Sequence, residues 1–538
     1  MEEQTYSGQI WHTFSSSLGR AIDLDMACKR LVKSKLFSVA LASTGELFYI
    51  SKDKFLKDEL RIDLSLGRTG LTVNGSKRFL DGEQNLFTLI SFKRALSLLL
   101  SQRKAFNTEF GFPCNTAWVF MEPMLIRAEQ KDDHEVITPY LTIHSDGTFQ
   151  LTFAPLIGFE DESAAHIIRN YVNRAQQNIE SVLVSPTFAS DAYHQYASGI
   201  PWWRRIANRS ELKELCRKMT SEGESVELDE DISITVTELL HTDEMSLSDI
   251  ARNILDRSAS ISLGSNSFAR KTQSKLGDSL FKSAWLGKPI LYIESCSGQA
   301  ASLSDAVSEN ETFIRSVLHR VEGAKWNADL TDYRAFNDYA HFYSPGVTLV
   351  FYSVAIADFF LSEQVDSSFD LDNIICDAQI LNEAAQYISM FYHQKLFEVE
   401  GLKDAVGVAR VKLEIAVFED RLVSSSRQSG EVFNFIDSVL KEPMMESSRQ
   451  ALSNKINTFE RAFELSEKSL SDARSRRLSS LFGIIASAAL APVLVSPALN
   501  YFGVLEGYSQ DAASMIGVAV SILVVTVVAW IASVTAKR

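Results

Sequence analysis

The stretch VITPYLTIHSDGTFQLTF, residues 136–153, contains the clearer of two hairpin signals in this chain. Apolar and polar residues alternate through 136–144 and again through 148–153, with a period of two that is typical of strands. Ser145, Asp146 and Gly147 separate the two runs and are residues that favour tight turns. The stretch therefore predicts two antiparallel strands and a fold that contains a sheet.

The segments around this hairpin predict a mixed α/β cytosolic region. A second hairpin is predicted from 36–41 and 47–51, and helices from 86–101 and 163–184. After a break at 185–210, strands at 232–239, 289–294 and 347–353 alternate with helices at 246–255 and 311–321. Such alternation favours α/β layers. We expect an N-terminal mixed α/β domain over 1–185 and a second α/β domain over 186–370.

The next part of the chain predicts a long helical stalk over residues 371–477. Helical spacing extends from 373 to 440 and is interrupted at Lys441-Glu442-Pro443. Apolar or small residues then recur in steps of four and three, the pattern of a coiled-coil seam. The seam contains Leu452, Ile456, Phe459, Phe463, Ser466, Leu470 and Ala473. Its partner is either the preceding helical stretch or the same helix in neighbouring subunits.

Two runs without charge, 478–505 and 512–536, predict a C-terminal two-helix transmembrane hairpin over 478–536. Each run is long enough to cross a hydrocarbon core of roughly 30 Å as a helix. Basic residues lie before the first run and after the second, and such residues mark the cytoplasmic side. We expect a multi-pass protein of a bacterial inner membrane with both termini in the cytoplasm.

Small residues recur along the first predicted span and acidic residues lie between the spans. The small residues are Ser480, Gly483, Ser487 and Ala491. They indicate either close helix packing within the hairpin or the lining of a pore in a homo-oligomer. Glu506 and Asp511 would form an outer acidic ring that concentrates cations.

This arrangement resembles the CorA family of magnesium channels, which are homopentamers gated from the cytosolic side. The resemblance covers about the last third of the chain, although Asn500-Tyr501-Phe502-Gly503 stands where that family has Gly-Met-Asn. The plan also resembles membrane effectors of bacterial antiphage systems, in which a nucleotide signal opens a channel. These resemblances imply an oligomeric ion channel and a role in antiviral defence.

Composition excludes several other classes of function. The formal net charge of −15 argues against a protein that coats duplex nucleic acid. The five cysteines and nine histidines are scattered, without the spacing of a metal site. No nucleophile with a base, carboxylate pair or cofactor loop is recognisable, so we expect neither an enzyme nor a bound cofactor or metal.

Two segments are candidates for binding a small soluble ligand. Trp202, Trp203, Arg204 and Arg205 combine stacking surfaces with phosphate donors, although adjacent tryptophans also plug domain interfaces. Arg270 and Lys271 follow a Gly/Ser loop that is either a phosphate cradle or a solvated loop.

Together these features lead to one hypothesis and two alternatives. The hypothesis is a homo-oligomeric membrane channel or pore, gated by a soluble ligand such as a nucleotide that binds the cytosolic domain. The alternatives are a non-conducting membrane anchor for a regulatory or catalytic domain, and a divalent-cation (magnesium) transporter.

Overall fold

The structure is a computed structural model of the 538-residue chain. It describes residues 4–52, 54–63, 72–74, 79, 85–106, 114–128, 134–200, 202–219, 223–229, 232–239, 245–264, 281, 286–298, 302–323, 330–334, 339–344, 346–352, 371–402, 404–426, 430–490, 493, 495–504 and 506–535.

Strands dominate the first 352 residues. Those described are β1 (Thr5–Ser17), β2 (Phe37–Ala42), β3 (Glu46–Ser51), β4 (Lys54–Glu59), β5 (Arg61–Asp63), β6 (Thr72–Asn74), β7 (Thr116–Met121), β8 (Met124–Ala128), β9 (Glu135–His144), β10 (Thr148–Pro155), β11 (Phe159–Ser163), β12 (Ile179–Val184), β13 (Glu224–Asp229), β14 (Ile232–Glu238), β15 (Leu286–Cys296), β16 (Tyr339–Tyr343) and β17 (Thr348–Tyr352).

Helices surround the sheet and make up the C-terminal part. Those described are α1 (Leu24–Lys33), α2 (Leu86–Ala105), α3 (Ala164–Ile167), α4 (Pro186–Gly199), α5 (Trp202–Ala207), α6 (Arg209–Met219), α7 (Leu247–Ser262), α8 (Leu303–Glu309), α9 (Glu311–His319), α10 (Leu371–Glu400), α11 (Ala405–Ser426), α12 (Gly430–Lys441), α13 (Pro443–Leu490), α14 (Ser496–Tyr501) and α15 (Gln510–Thr535).

The hairpin that opened the sequence analysis lies inside a large mixed sheet. β9 and β10 pair antiparallel from Phe149 opposite Ile143 onward, which confirms the predicted turn at Ser145-Asp146-Gly147. Fifteen of the described strands form one sheet, whose main path runs β13-β14-β12-β8-β9-β10-β1-β15-β17-β16. β15 and β17 pair in parallel, whereas β1 is antiparallel to both β10 and β15.

The apolar core consists of two large clusters of buried side chains. One is built around Phe14, Leu141 and Leu151, with α1 and α7 packed onto it. The other contains Ile10, Leu291 and Leu349 and is covered by α8 and α9. Because strand residues alternate between faces, the even-numbered apolar residues of β1 point into these clusters.

Most of the remaining secondary-structure predictions agree with the structure. The β2–β3 hairpin, helix α2 and the strands at β14, β15 and β17 lie where the pattern placed them. The predicted helix over 163–184 is wrong, because that segment contains short helical turns followed by strand β12. Its Ile, Val and Leu residues fit either period, and pairing of β12 with β8 and β14 decides for a strand.

The predicted transmembrane hairpin is not supported. Among the described residues, no helix combines the length and the apolar character that a membrane crossing requires. This finding contradicts the hairpin over 478–536 and, with it, the membrane, ion-channel and multi-pass inner-membrane predictions. Within the uncharged run 478–505 the structure describes two α-helical segments, the end of α13 up to Leu490 and α14 from Ser496. The part of the run inside α13 extends only about 20 Å at 1.5 Å per residue.

The chain divides into two units. One comprises 1–401 and 411–453 and contains the sheet, and the other comprises 402–410 and 454–538. Helix α13 belongs to both, because it begins at Pro443 and continues to Leu490.

Candidate functional site

Helix α10 packs on the sheet through a polar face. Its residues Gln379, Asn382, Glu383 and Gln386 recur at helical spacing, and each is at most 4% exposed. The odd-numbered residues Thr13 and Ser15 of β1 lie opposite, and Ser15 donates a hydrogen bond to Gln386 at 2.8 Å. A buried polar layer of this kind must satisfy its donors and acceptors, because each unpaired group costs free energy.

Glu383 is the centre of this layer and is well satisfied. Tyr140 and Thr142 donate to its two carboxylate oxygens at 2.8 and 3.0 Å, and the Gln379 side-chain amide donates at 3.0 Å. Burial raises the pKa of Glu383, although these hydrogen bonds lower it in part. Glu383 therefore serves structure, and Gln386 lies about one turn beyond it along α10.

A cavity of about 80 Å³ lies between the sheet, α10 and the first turns of α13. Its lining residues are Gly287, Lys288, Tyr343, Gln386, Ser389, His393, Glu442, Met444, Met445 and Ser448. All of them belong to the unit that contains the sheet.

Lys288 of β15 is the most unusual residue of this cavity. It is 5% exposed, and its Nζ has no hydrogen-bond partner within the described part of the chain. The Nζ lies 3.2 Å from the centroid of the Tyr343 ring. Burial lowers the pKa of the Lys288 amine well below its usual range, and the charge of Glu442 offsets this only in part. Burial is therefore the dominant influence on this amine, and it favours the neutral form.

Gln386 supplies a second unpaired donor. Its Oε1 accepts from Ser15, while its Nε2 has no hydrogen-bond partner among the described residues and the residue is 4% exposed. Native structures leave few buried donors unpaired, and unpaired groups concentrate where a ligand or water belongs. Two such donors, on Lys288 and Gln386, line one cavity.

The opposite part of the lining offers acceptors. Glu442 precedes Pro443 at the start of α13, and its Oε2 accepts from the backbone N–H groups of Met444 and Met445, each at 3.0 Å. The Nδ1 of His393 donates to the Ser389 carbonyl at 2.9 Å, which in a neutral ring leaves Nε2 as an acceptor. The cavity thus presents donors on Lys288 and Gln386 and acceptors on Glu442 and His393.

A larger groove lies between α4, α6 and α7. It has a volume of about 530 Å³ and a mainly apolar wall that includes Phe188, Leu215 and Ile254. Two of the three charged residues on its wall are already engaged, since the Arg257 guanidinium pairs with both carboxylate oxygens of Asp191. The groove therefore gives less indication of a specific ligand than the Lys288 cavity.

The predicted ligand-binding residues lie elsewhere. Trp203 is 54% exposed on α5, and the exposed Arg204 stacks on its ring at 4.9 Å from the centroid. The backbone of Trp202 and Arg205 is part of α5, but their side chains lie outside the described residues, as do Arg270 and Lys271 altogether. The described members of this set do not line either cavity.

The predicted pore and ring residues are spread along the C-terminal helices. Gly483 is partly exposed on α13, Glu506 is exposed in a turn, and Asp511 is exposed in the first turn of α15. Ser480 and Ser487 belong to α13 with side chains outside the described residues, and Ala491 lies outside them altogether.

Lys288 and Gln386 were missed by the sequence analysis. The strand was predicted to begin at Pro289, so Lys288 lay just outside it. The available signal was the recurrence of Gln379, Asn382, Glu383 and Gln386 at helical spacing within 378–388, a segment whose other positions are apolar. Polar residues at such spacing usually mark a solvated face, and only the fold shows that this face is buried.

Comparison of the chain with protein-family models, with curated proteins and with solved structures gives no match.

Proposed function

We propose that this chain is a ligand-binding sensor that takes a small carboxylate with its own hydrogen-bond donor, such as a small amino acid, into the Lys288 cavity. The observation that carries the proposal is a pair of buried donors that have no hydrogen-bond partner among the described residues, Lys288 Nζ and Gln386 Nε2. A carboxylate accepts from both, and a charged acceptor makes the stronger kind of hydrogen bond.

The acceptors on the other side of the cavity narrow the ligand class. A simple anion would be repelled by the Glu442 carboxylate. An ammonium or hydroxyl group would instead donate a hydrogen bond to Glu442 or to His393 Nε2. The volume of about 80 Å³ is roughly half of the ~150 Å³ that holds benzene. The enclosed part of the ligand therefore has on the order of five heavy atoms.

The position of Glu442 connects the cavity to α13. Its Oε2 caps the helix by accepting from the N–H groups of Met444 and Met445. A ligand group that competes for Glu442 changes how the first turn of α13 is held, and α13 continues for 48 residues. Ligand binding would thus change the structure at the start of this helix.

Titration calorimetry on the full chain tests the proposal. We expect glycine, alanine or glycolate to bind, acetate to bind more weakly, and inorganic phosphate not to bind. The variant Lys288→Met should lose binding, because it keeps the volume of the side chain and removes the donor.

The matched control is Lys395→Met. Lys395 is also a buried lysine, but it is paired with Glu398 at 2.8 Å and with Glu414, and it does not line the cavity. Binding should survive in this control. Equal affinity of wild-type protein and Lys288→Met for every compound of the panel would refute the proposal.

A further inference from the structure

Helix α13 presents an apolar seam that nothing in the described part of the chain covers completely. The part of the predicted coiled-coil seam that is not fully buried, named the α13 seam, consists of Phe459, Phe463, Ser466, Leu470 and Ala473. Phe459 and Phe463 are only partly buried, with ring centroids 6.2 Å apart, and Leu470 is 57% exposed. The steps of four and three between these residues are those of a two-stranded or higher coiled coil.

Exposed apolar side chains continue beyond the seam on the same helix. Leu478, Leu481, Phe482 and Ile485 are 55%, 56%, 68% and 62% exposed. Exposed apolar side chains in this number on one helix are unusual in a monomeric protein and mark an interface.

We propose that copies of this chain associate in parallel through the α13 seam. The distribution of charge along the helix favours a second copy of the chain as the partner, and it favours the parallel orientation. Residues 460–477 contain Glu460, Glu464, Glu467, Arg474 and further charged groups, whereas 478–490 contain none. A parallel partner places the uncharged segment against its own equivalent.

An antiparallel partner would bury the same charges. It would lay 478–490 of one copy over the charged segment of the other, and desolvated charges without partners are costly. The parallel arrangement avoids this cost, and as far as Ala473 it leaves the charged side chains at the edges of the seam. Arg477 stands seven residues after Leu470, so the apolar seam ends before it.

The flanking charges are also complementary in the parallel register. With Phe463 and Leu470 at the a positions and Phe459, Ser466 and Ala473 at the d positions, Lys455 occupies a g position and Glu460 the following e position. In parallel coiled coils a g residue faces the e residue of the partner's next heptad. Lys455 of one copy therefore meets Glu460 of the other, and the reverse pair forms by symmetry.

Sedimentation equilibrium of the full chain measures whether the copies associate. We expect an average mass that is a multiple of the chain mass, and Phe463→Asp should reduce it to that of a single chain. Far-UV circular dichroism verifies that this variant keeps its secondary structure. A wild-type chain that remains monomeric at every concentration tested overturns the proposal.

Disulfide trapping tests the register without disturbing the seam. In a parallel pair Ser466 faces Ser466 of the second copy, so Ser466→Cys should form an intermolecular disulfide that peptide mass spectrometry identifies. Ser471, which is exposed on the other side of α13, is the matched control. Equal trapping of Ser466→Cys and Ser471→Cys would overturn the parallel seam even if the chain is oligomeric.

Discussion

Lys288 is a residue that folding alone does not favour. Its amine is buried without a partner, and an unsatisfied buried polar group costs about 1–3 kcal/mol. Residues of this kind persist at functional sites, where a ligand supplies the missing partner. The energetic cost of Lys288 and its proposed role in ligand binding therefore have one cause, the burial of its amine.

Replacing Lys288 with methionine should therefore stabilise the unliganded protein. We expect Lys288→Met to raise the free energy of unfolding by about 1–3 kcal/mol in urea titrations. The gain should shrink as the pH rises toward 10.5, since the unfolded lysine is protonated below that value while burial keeps the folded one neutral. Lys395→Met should instead destabilise, because it breaks the pairs with Glu398 and Glu414. Destabilisation by both variants would mean that Lys288 is satisfied in the folded protein.

Binding of a carboxylate should be coupled to protonation of Lys288. A negative charge beside the amine raises its pKa from the lowered value of the empty cavity, so binding takes up a proton between the two values. Within that window we expect affinity to fall about tenfold per pH unit as the pH rises. Calorimetry in buffers of different ionisation enthalpy measures the proton directly. Binding without proton uptake would show that the ligand does not approach Lys288.

Helix α10 attaches to the sheet through hydrogen bonds that also specify its register. Glu383 accepts from Tyr140 and Thr142 of β9, and the Gln150 side chain of β10 donates to the Glu383 carbonyl, so these bonds form at only one position along the helix. A purely apolar face would permit sliding, whereas this layer loses several hydrogen bonds if the helix shifts. The register in turn places Gln386 at the Lys288 cavity.

The charge of Glu383 should make this attachment pH-dependent. Burial raises its folded-state pKa above 4.5, so the folded state binds the proton more tightly than the unfolded state. The resulting stability is present below pH 4.5 and is lost as the pH rises through the folded-state pKa. Glu383→Gln removes this titration, so over this window its free energy of unfolding should fall less than that of the wild type. Parallel pH profiles of the two proteins would show that Glu383 ionises as it does in water.

The sequence pattern predicted correctly that α13 is a long helix. It also assigned the end of that helix to a membrane span, which the structure does not support. The start of α13 at Pro443 after Glu442 follows from proline at the first helical position and from the side-chain cap. Its heptad spacing predicted a seam without showing how much of it is covered. Leu452 and Ile456 are buried, whereas exposure increases from Phe459 onward.

Across the whole molecule, backbone protection should differ between the two units. β1 is hydrogen-bonded on both edges, to β10 and β15, and its amides should exchange slowest in deuterium-exchange mass spectrometry. Residues 459–473 belong to a largely exposed helical segment, and their protection should depend on self-association. On dilution we expect protection of 459–473 to fall while that of β1 is unchanged. Protection of 459–473 that is independent of concentration would contradict the proposed seam.

Alternation of apolar and polar residues at 136–144 and 148–153 determined the β9–β10 hairpin, because strand period and turn chemistry are local properties. The heptad spacing and Pro443 likewise determined that α13 is a long helix. Only the tertiary structure decided that β1, β10 and β15 share one sheet, since pairing between distant strands leaves no local trace.

The candidate site, like the pairing of distant strands, was decided only by the tertiary structure. Lys288 and Gln386 are ordinary surface residue types, and burial gives them chemistry that their identity does not have. The uncharged run 478–505 shows the converse, because its composition indicated a membrane span that the described helices do not support. Composition and period report on neighbours along the chain, whereas pKa, burial and continuity depend on which distant segments the fold brings together.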